Sequence, residues 1–282
     1  MTKSTLYLVP TPIGNLEDIT LRAIRILKEV DFIYAEDTRT SGVLLKHYEI
    51  KNNLRSYHKF NEKAKCNEMI SLLLEGKNIA IISDAGSPGI SDPSNIIINE
   101  IISNPKYIDN VSIIPLPGAT AIIPALTASG FNTDNFIMLG FLPSKKKDKE
   151  ALLNKVKDLN MPVCFYEAPH RLEKFLNELF KYFNNADIVI AREISKKFEN
   201  WYRGKLKDIL TNLDSINIKG EFVIIALPEK STNKQDETQI ITDLYKNKYT
   251  EISISKAVKI IAKETNIAKN IVYKTLLKEA TK

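Results

Sequence analysis

The chain alternates short apolar runs with stretches of helical periodicity. Residues 6–9 (Leu-Tyr-Leu-Val) read as a strand halted by Pro10 and Pro12. Asp18-Ile19-Thr20 opens a helix whose apolar face is Leu21, Ile24, Ile26 and Leu27. Residues 32–35 predict the next strand and 67–75 a helix stopped by Gly76; 79–82 and 111–115 predict two more strands. These runs are apolar throughout rather than alternating, the pattern of a mainly parallel sheet covered by helices on both faces.

The style continues past Pro117-Gly118. Residues 119–128 read as helix, 136–139, 163–166, 188–191 and 221–226 as strands, and 172–183 as an amphipathic helix behind Pro169. Residues 231–238 are polar without periodicity, as in a linker. Beyond them 255–264 and 269–279 predict two helices about a turn at Thr265-Asn266-Ile267. The expected organisation is α/β at residues 1–117, a second α/β domain at 118–230, and a linker with a small helical tail at 231–282. The tail fits a helix-turn-helix and a plain helical hairpin equally well. Its lysines Lys256, Lys259, Lys263, Lys269, Lys274 and Lys278 outnumber Glu264 and Glu279, which suits contact with phosphates.

Composition changes this picture little. The 282 residues carry a net charge of +6, which agrees with a polyanionic partner and equally with an ordinary basic protein. Two distant cysteines, Cys66 and Cys164, suit reduced thiols better than a disulfide scaffold, with Cys164 in the core. No secretory or membrane-spanning pattern is present, so the expected location is cytosolic. His47, His58 and His170 are scattered, and no metal site is expected.

The densest chemical signal is residues 83–93, Ser-Asp-Ala-Gly-Ser-Pro-Gly-Ile-Ser-Asp-Pro, directly after a predicted strand. Ligands of open α/β sheets sit beyond the carboxyl ends of the strands. Glycines there admit a ligand to the backbone, and prolines hold the loop in one shape. The plain alternative is a strand-to-helix loop with Asp92 as its cap. Thr11-Pro12-Ile13-Gly14-Asn15, Glu36-Asp37-Thr38-Arg39 and Pro117-Gly118-Ala119-Thr120-Ala121 also follow strands, so the four loops imply one pocket. Neither a dinucleotide fingerprint nor a P-loop is present, which disfavours nicotinamide and triphosphatase readings. Residues 56–62, around His58, and 166–171, around His170, mix rings, acids and cations. The run Ser144-Lys145-Lys146-Lys147-Asp148-Lys149 reads either as a solvated loop or as a flexible RNA clamp.

On these residues the chain resembles the ribosomal RNA small subunit methyltransferase I family of the tetrapyrrole methylase superfamily. The resemblance runs through residues 83–93, 11–20, 35–39, 56–62, 128–130, 140–143, 166–171, 191–193 and 220–223, in one order along nearly the whole chain. It implies two α/β domains with the cofactor in the cleft between them, a homodimer, and S-adenosylmethionine as donor. It further implies 2′-O-methylation of a cytidine ribose in 16S rRNA near the decoding centre. The superfamily's Gly-Asp-Pro loop corresponds to Gly86-Ser87-Pro88, which should contact the cofactor, as should Thr120, Ala121 and Tyr166. Pro12, Gly14, Asp84, Ala85, Ile90 and Gly118 complete the expected cofactor set. Two departures stand out: Ala119-Thr120 replaces the usual Pro-Ser, and Ser94 replaces the signature's final Gly. Deprotonating a ribose hydroxyl needs a base, for which Glu167, Glu36 and Asp37 are candidates, with His170 and Lys196 behind them. Arg39, Arg171 and Arg192 are expected to fork onto phosphates, with His58 and Lys145, Lys146 and Lys147 also facing RNA. Rival readings are a small-molecule tetrapyrrole methyltransferase and an RNA-binding assembly factor without catalysis.

Overall fold

A computed structural model describes residues 3–91, 94–229, 234–265 and 267–280. Residues 1–2 and 281–282, Asp92 and Pro93 of the signature loop, Lys230, residues 231–233 of the expected linker and Asn266 of the expected turn lie outside the described residues. Met1–Pro228 form one compact unit and Glu229–Lys282 a second.

The first sheet is built from β1 (Ser4–Val9), β2 (Phe32–Ala35), β3 (Asn53–Ser56), β4 (Ile79–Ile82) and β5 (Val111–Pro115), in the order β3-β2-β4-β1-β5. All its pairings are parallel. Between the strands run α1 (Leu21–Glu29), α2 (Thr38–His47), α3 (Glu62–Leu74), α4 (Asn95–Ser103) and the short α5 (Pro105–Ile108). Alternate strand residues feed two cores. Leu6, Tyr34, Ile79 and Ile81 pack on Met69, Leu73 and Ile97 of α3 and α4. Val9, Ile33, Ala80 and Ile82 pack on Ala23, Ile26, Leu27 and Leu45 of α1 and α2. Each fully buried aliphatic side chain contributes roughly 1.5–3 kcal/mol, which is why both faces of these strands are apolar. Caps start the helices: the Thr20 hydroxyl accepts from the Ala23 amide at 3.0 Å, and Asp37 from the Arg39 amide at 2.8 Å.

The second sheet follows α6 (Ile122–Thr127). It holds β6 (Ile137–Gly140), β7 (Val163–Glu167), β8 (Asp187–Arg192), β9 (Asn200–Lys205) and β10 (Phe222–Leu227), ordered β6-β7-β10-β8-β9. Helices α7 (Lys146–Val156), α8 (Leu172–Phe180) and α9 (Leu206–Thr211) cover one face. The other face, Cys164, Val189, Ala191, Val223 and Ile225, packs on Ile122, Ala125 and Leu126 of α6. Here the expected style fails: only β6 and β7 are parallel, and the other three pairings are antiparallel. The segment between β8 and β9 is too short for a crossover helix, so those strands must form a hairpin. The expected lysine loop is likewise corrected, because Lys146 begins α7 and only Lys145 precedes it as its cap.

The second unit contains α10 (Lys234–Leu244), α11 (Ile254–Thr265) and α12 (Lys269–Ala280). Part of the expected linker is therefore helix. Ile241, Ala257, Val258, Ile261, Val272 and Leu276 make its own core, and Lys256, Lys259 and Lys263 lie exposed along α11. Among the described residues no helix is long and apolar enough to cross a membrane.

Candidate active site

The loops after β1 and β4 are tied together because those strands are neighbours. Thr11 and Gly86 exchange both backbone hydrogen bonds at 2.9 Å. The Thr11 hydroxyl donates to the Ser83 carbonyl, and the Ser83 hydroxyl to the Gly86 carbonyl, each at 2.9 Å. The Ser87 hydroxyl reaches the Ala119 carbonyl at 3.1 Å, binding in the loop before α6. Gly86 adopts φ +80°, open to glycine, with no atom nearer than 3.5 Å to where a Cβ would stand.

This platform forms one wall of a cavity of about 510 Å³ whose opposite wall is the second sheet. Asp84, Ala85, Gly86, Ser87, Ile90, Thr120, Ala121 and Tyr166 line it, together with Glu36 and Glu167. Ile13, Ser91, Phe141, Ala168, Pro169, Ile194, Glu221, Phe222 and Val223 also line it; all but Ile194 lie in segments that the sequence analysis named, though none was among the expected cofactor contacts. The Phe141 and Tyr166 rings stand 5.7 Å apart at its side.

The two carboxylates come from different sheets. Glu36 follows β2; burial, then the charge of Asp84, raises its pKa above the usual carboxylate value, against an opposing pull from His58. Asp84 is itself held by the Asp37 amide at 2.9 Å. Glu167 ends β7 and is 2% exposed. Its Oε1 accepts from the Ala168 amide at 2.8 Å and faces the Arg171 Nε at 3.2 Å. Its Oε2 is buried without a hydrogen-bond partner. A buried acceptor left so is costly to the fold.

Other expected site residues fall elsewhere. Pro12 and Gly14 line a separate cavity of about 450 Å³ on the α2 side, with Lys196. Pro88 lines neither of these two cavities, and Gly118 serves packing, since a Cβ there would stand 2.5 Å from the Pro10 Cβ. Hydrogen bonds from the Arg39 side chain and backbone hold the Asp37 pKa down at about 2, and its carboxylate caps α2. Lys196 is paired with two carboxylates. Burial lowers its pKa, but Glu221 at 2.7 Å and Glu193 at 3.0 Å outweigh that and raise it, keeping the amine protonated. His170 is exposed on the turn Pro169–Arg171 and lines neither cavity.

Of the expected phosphate ligands, Arg39 is exposed and forks onto Asp37, and Lys145, Lys146 and Lys147 are exposed at the start of α7. The His58 Nδ1 accepts from the Phe60 amide at 3.2 Å. Arg171 is engaged by Glu167. Arg192 is 7% exposed, and its guanidinium donates to the carbonyls of Lys219 at 2.5 Å and Phe198 at 2.9 Å. Its position at the end of β8 turns it toward backbone rather than solvent.

Comparison with known proteins follows the same outline. The family model described as Tetrapyrrole (Corrin/Porphyrin) Methylases matches residues 5–210. Ribosomal RNA small subunit methyltransferase I of Bacillus subtilis is 40% identical over 95% of this chain and 92% of its own length. The protein of that name from Buchnera aphidicola is 41% identical over 97% and 96%; that from Halalkalibacterium halodurans is 44% identical over 79% and 75%. Among solved structures, a diphthine synthase gives a TM-score of 0.62 at 12% identity, covering 80% of this chain and 90% of its own. The methyltransferase CobJ gives 0.61 at 16%, covering 81% and 95%, and these two likenesses speak to the fold alone.

Proposed function

The chain belongs to the tetrapyrrole methylase family and is an S-adenosylmethionine-dependent methyltransferase; from that premise we propose that it methylates small-subunit ribosomal RNA. The target we propose is the 2′-hydroxyl of a cytidine near the decoding centre, modified by a cytoplasmic homodimer. The names of the relatives support the RNA substrate. The observation that carries the chemistry is the inter-sheet cavity, lined by Glu36 from one sheet and Glu167 from the other.

The residues present fit the donor. The cavity has the volume of an ordinary cofactor site. Gly86 leaves its backbone open, and the Glu167 Oε2 is an unpaired acceptor. When bound, S-adenosylmethionine supplies an electrophilic methyl on a sulfonium. Gly86, Ser87, Thr120 and Ala121, with Glu167 on the facing sheet, would hold it between the tied loops and the second sheet. Glu36 takes the proton of the ribose hydroxyl. Its raised pKa brings it toward the operating pH, which strengthens a general base. Holding acceptor and donor in line supplies a further share of the rate, on the order of several kcal/mol. Arg39 and the α7 lysines contact phosphates at the rim.

The test is methyl transfer from labelled cofactor to assembled small subunits, followed by digestion to nucleosides. Label is expected in 2′-O-methylcytidine, and Glu36→Gln should lower kcat roughly 10²–10⁴-fold without weakening cofactor binding. Label on the base, or none on RNA, overturns the reading. Cofactor binding without any transfer would favour a non-catalytic RNA-binding protein.

A further inference from the structure

The second unit holds a disproportionate share of the chain's charge. From Glu229 onward it has eleven lysines and no arginine against seven acidic residues, a balance of +4 within the chain's total of +6. The two signs are sorted rather than mixed. Glu264 is engaged by Lys248 at 3.2 Å and by the Tyr249 hydroxyl at 2.9 Å, and Glu279 by Lys246 at 2.6 Å. All three partners stand on the π-helical turn Tyr245–Tyr249 between α10 and α11. These two are the only acids that α11 and α12 contain.

What remains on the two helices is one sign. Lys256, Lys259, Lys263, Lys269 and Lys274 are exposed, and none is in an ion pair among the described residues. The first three fall at i, i+3 and i+7, on one face of α11, and span roughly 10 Å along it. Ala257, Val258, Ile261 and Ala262 turn the other side of α11 into the unit's own core, which fixes the lysine stripe outward. A helix face kept only for solubility intersperses both signs. Three unpaired cations in a row repel one another, and an anion that meets all three relieves that repulsion.

The anion with that reach is a nucleic-acid backbone, whose phosphates recur along the strand. A lysine ammonium meets a phosphate as a point charge and reads no base edge, so the contact is independent of sequence. Single-strand binders add rings on which bases stack, and α11 has no aromatic residue. A double helix of RNA, recognised by its shape and phosphates, is the partner this face fits.

We propose that the lysine face of α11 docks on the phosphate backbone of a double-helical segment of the substrate RNA, as an anchor that takes no part in methyl transfer. The assignment rests on the rRNA reading and adds to it where the second unit binds. An anchor on the same chain raises the effective concentration of RNA at the catalytic unit, so its contribution enters KM and not kcat.

The experiment compares the full-length wild type with Lys256→Gln/Lys259→Gln/Lys263→Gln. A control, Lys28→Gln/Lys51→Gln/Lys106→Gln, removes the same charge from exposed positions of the first unit. Affinity for an RNA hairpin of unrelated sequence is measured across a salt series. Alongside it are measured kcat and KM for assembled small subunits, cofactor affinity and the thermal midpoint. The α11 variant should keep its midpoint, cofactor affinity and kcat. It should lose about tenfold or more in hairpin affinity, with a matching rise in KM, and its salt slope should fall by about two to three. The control should stay near wild type in all of these. Wild-type hairpin affinity in the α11 variant overturns the proposal, as does an equal loss in the control, which would assign the effect to net charge. Unchanged hairpin affinity with lost binding to phosphatidylglycerol vesicles would give the face to a lipid surface and overturn it likewise. Failure of the wild type to label subunits overturns the rRNA reading instead, and the hairpin series, which needs no methyl transfer, tells the two failures apart.

Discussion

Replacing Gly14 by alanine tests how the loop after β1 meets the loop after β8. Gly14 holds φ at +149°, and the Lys196 stem lies across it. A Cβ would collide with the Lys196 Cγ and stand 2.8 Å from Cε and 2.9 Å from Cδ. Three carbons of one side chain are in the way, so Lys196 must swing off as a whole. It would then lose Glu193 at 3.0 Å and Glu221 at 2.7 Å. Backbone strain at such a φ costs about 1–3 kcal/mol for a residue with a Cβ. Glu221 is 73% exposed, so solvent discounts its pair, and the two contacts together contribute about 1 kcal/mol. Gly14→Ala should therefore destabilise by roughly 2–4 kcal/mol in denaturant titration. In a Lys196→Ala background the obstruction is gone and only the backbone strain remains. A double-mutant cycle should return a coupling of about 1 kcal/mol. Additivity within ~0.3 kcal/mol would refute the claim that Gly14 is kept small for Lys196.

Two further outcomes follow from groups away from the cavities. Arg192→Ala leaves the carbonyls of Lys219 and Phe198 without their charged donor and should cost about 2–3 kcal/mol of stability. The salt dependence of RNA binding should not change; a slope smaller by about one would instead place this guanidinium on a phosphate. At Glu68, burial alone would raise the pKa, but hydrogen bonds from Lys65, Tyr34 and Arg55 outweigh it and bring it down to about 2. The folded value lies below the unfolded carboxylate value of ~4.3. Its stabilisation is thus present above that pH and is lost as pH falls toward the folded value. Glu68→Gln should separate from wild type near neutrality and converge with it in acid, and denaturation curves offset equally at every pH would refute the sign.

The strands legible in the sequence were those covered on both faces, such as Phe32–Ala35 and Ile79–Ile82, since uninterrupted apolar runs report burial. The same property hid the direction of β8 and β10, because burial carries no information about chain polarity. The edge strands Asn53–Ser56 and Asn200–Lys205 were invisible: each is polar and half-exposed, and pairing on one side alone holds it. At the site, glycines and prolines after strands revealed the loops but not their allotment. Ile13 faces both cavities while Pro12 and Gly14 face one, a division set by contacts with residues far along the chain. Which carboxylate is poised as a base was equally hidden. Asp37 and Glu36 are adjacent, yet one is held by Arg39 and the other faces Asp84 from a different loop.

The strand order β3-β2-β4-β1-β5 leaves β1 with no partner among the first 78 residues. A nascent chain carrying only that much can pair β2 with β3 and nothing else. β4 is the keystone, since it joins β2 on one side and β1 on the other and also carries the loop that ties to Thr11. During synthesis the apolar β1 must wait for it, exposed, as parallel sheets of high contact order require. One strand therefore both joins the two halves of the N-terminal sheet and carries the ligand platform, so whatever loosens β4 loosens the site with it.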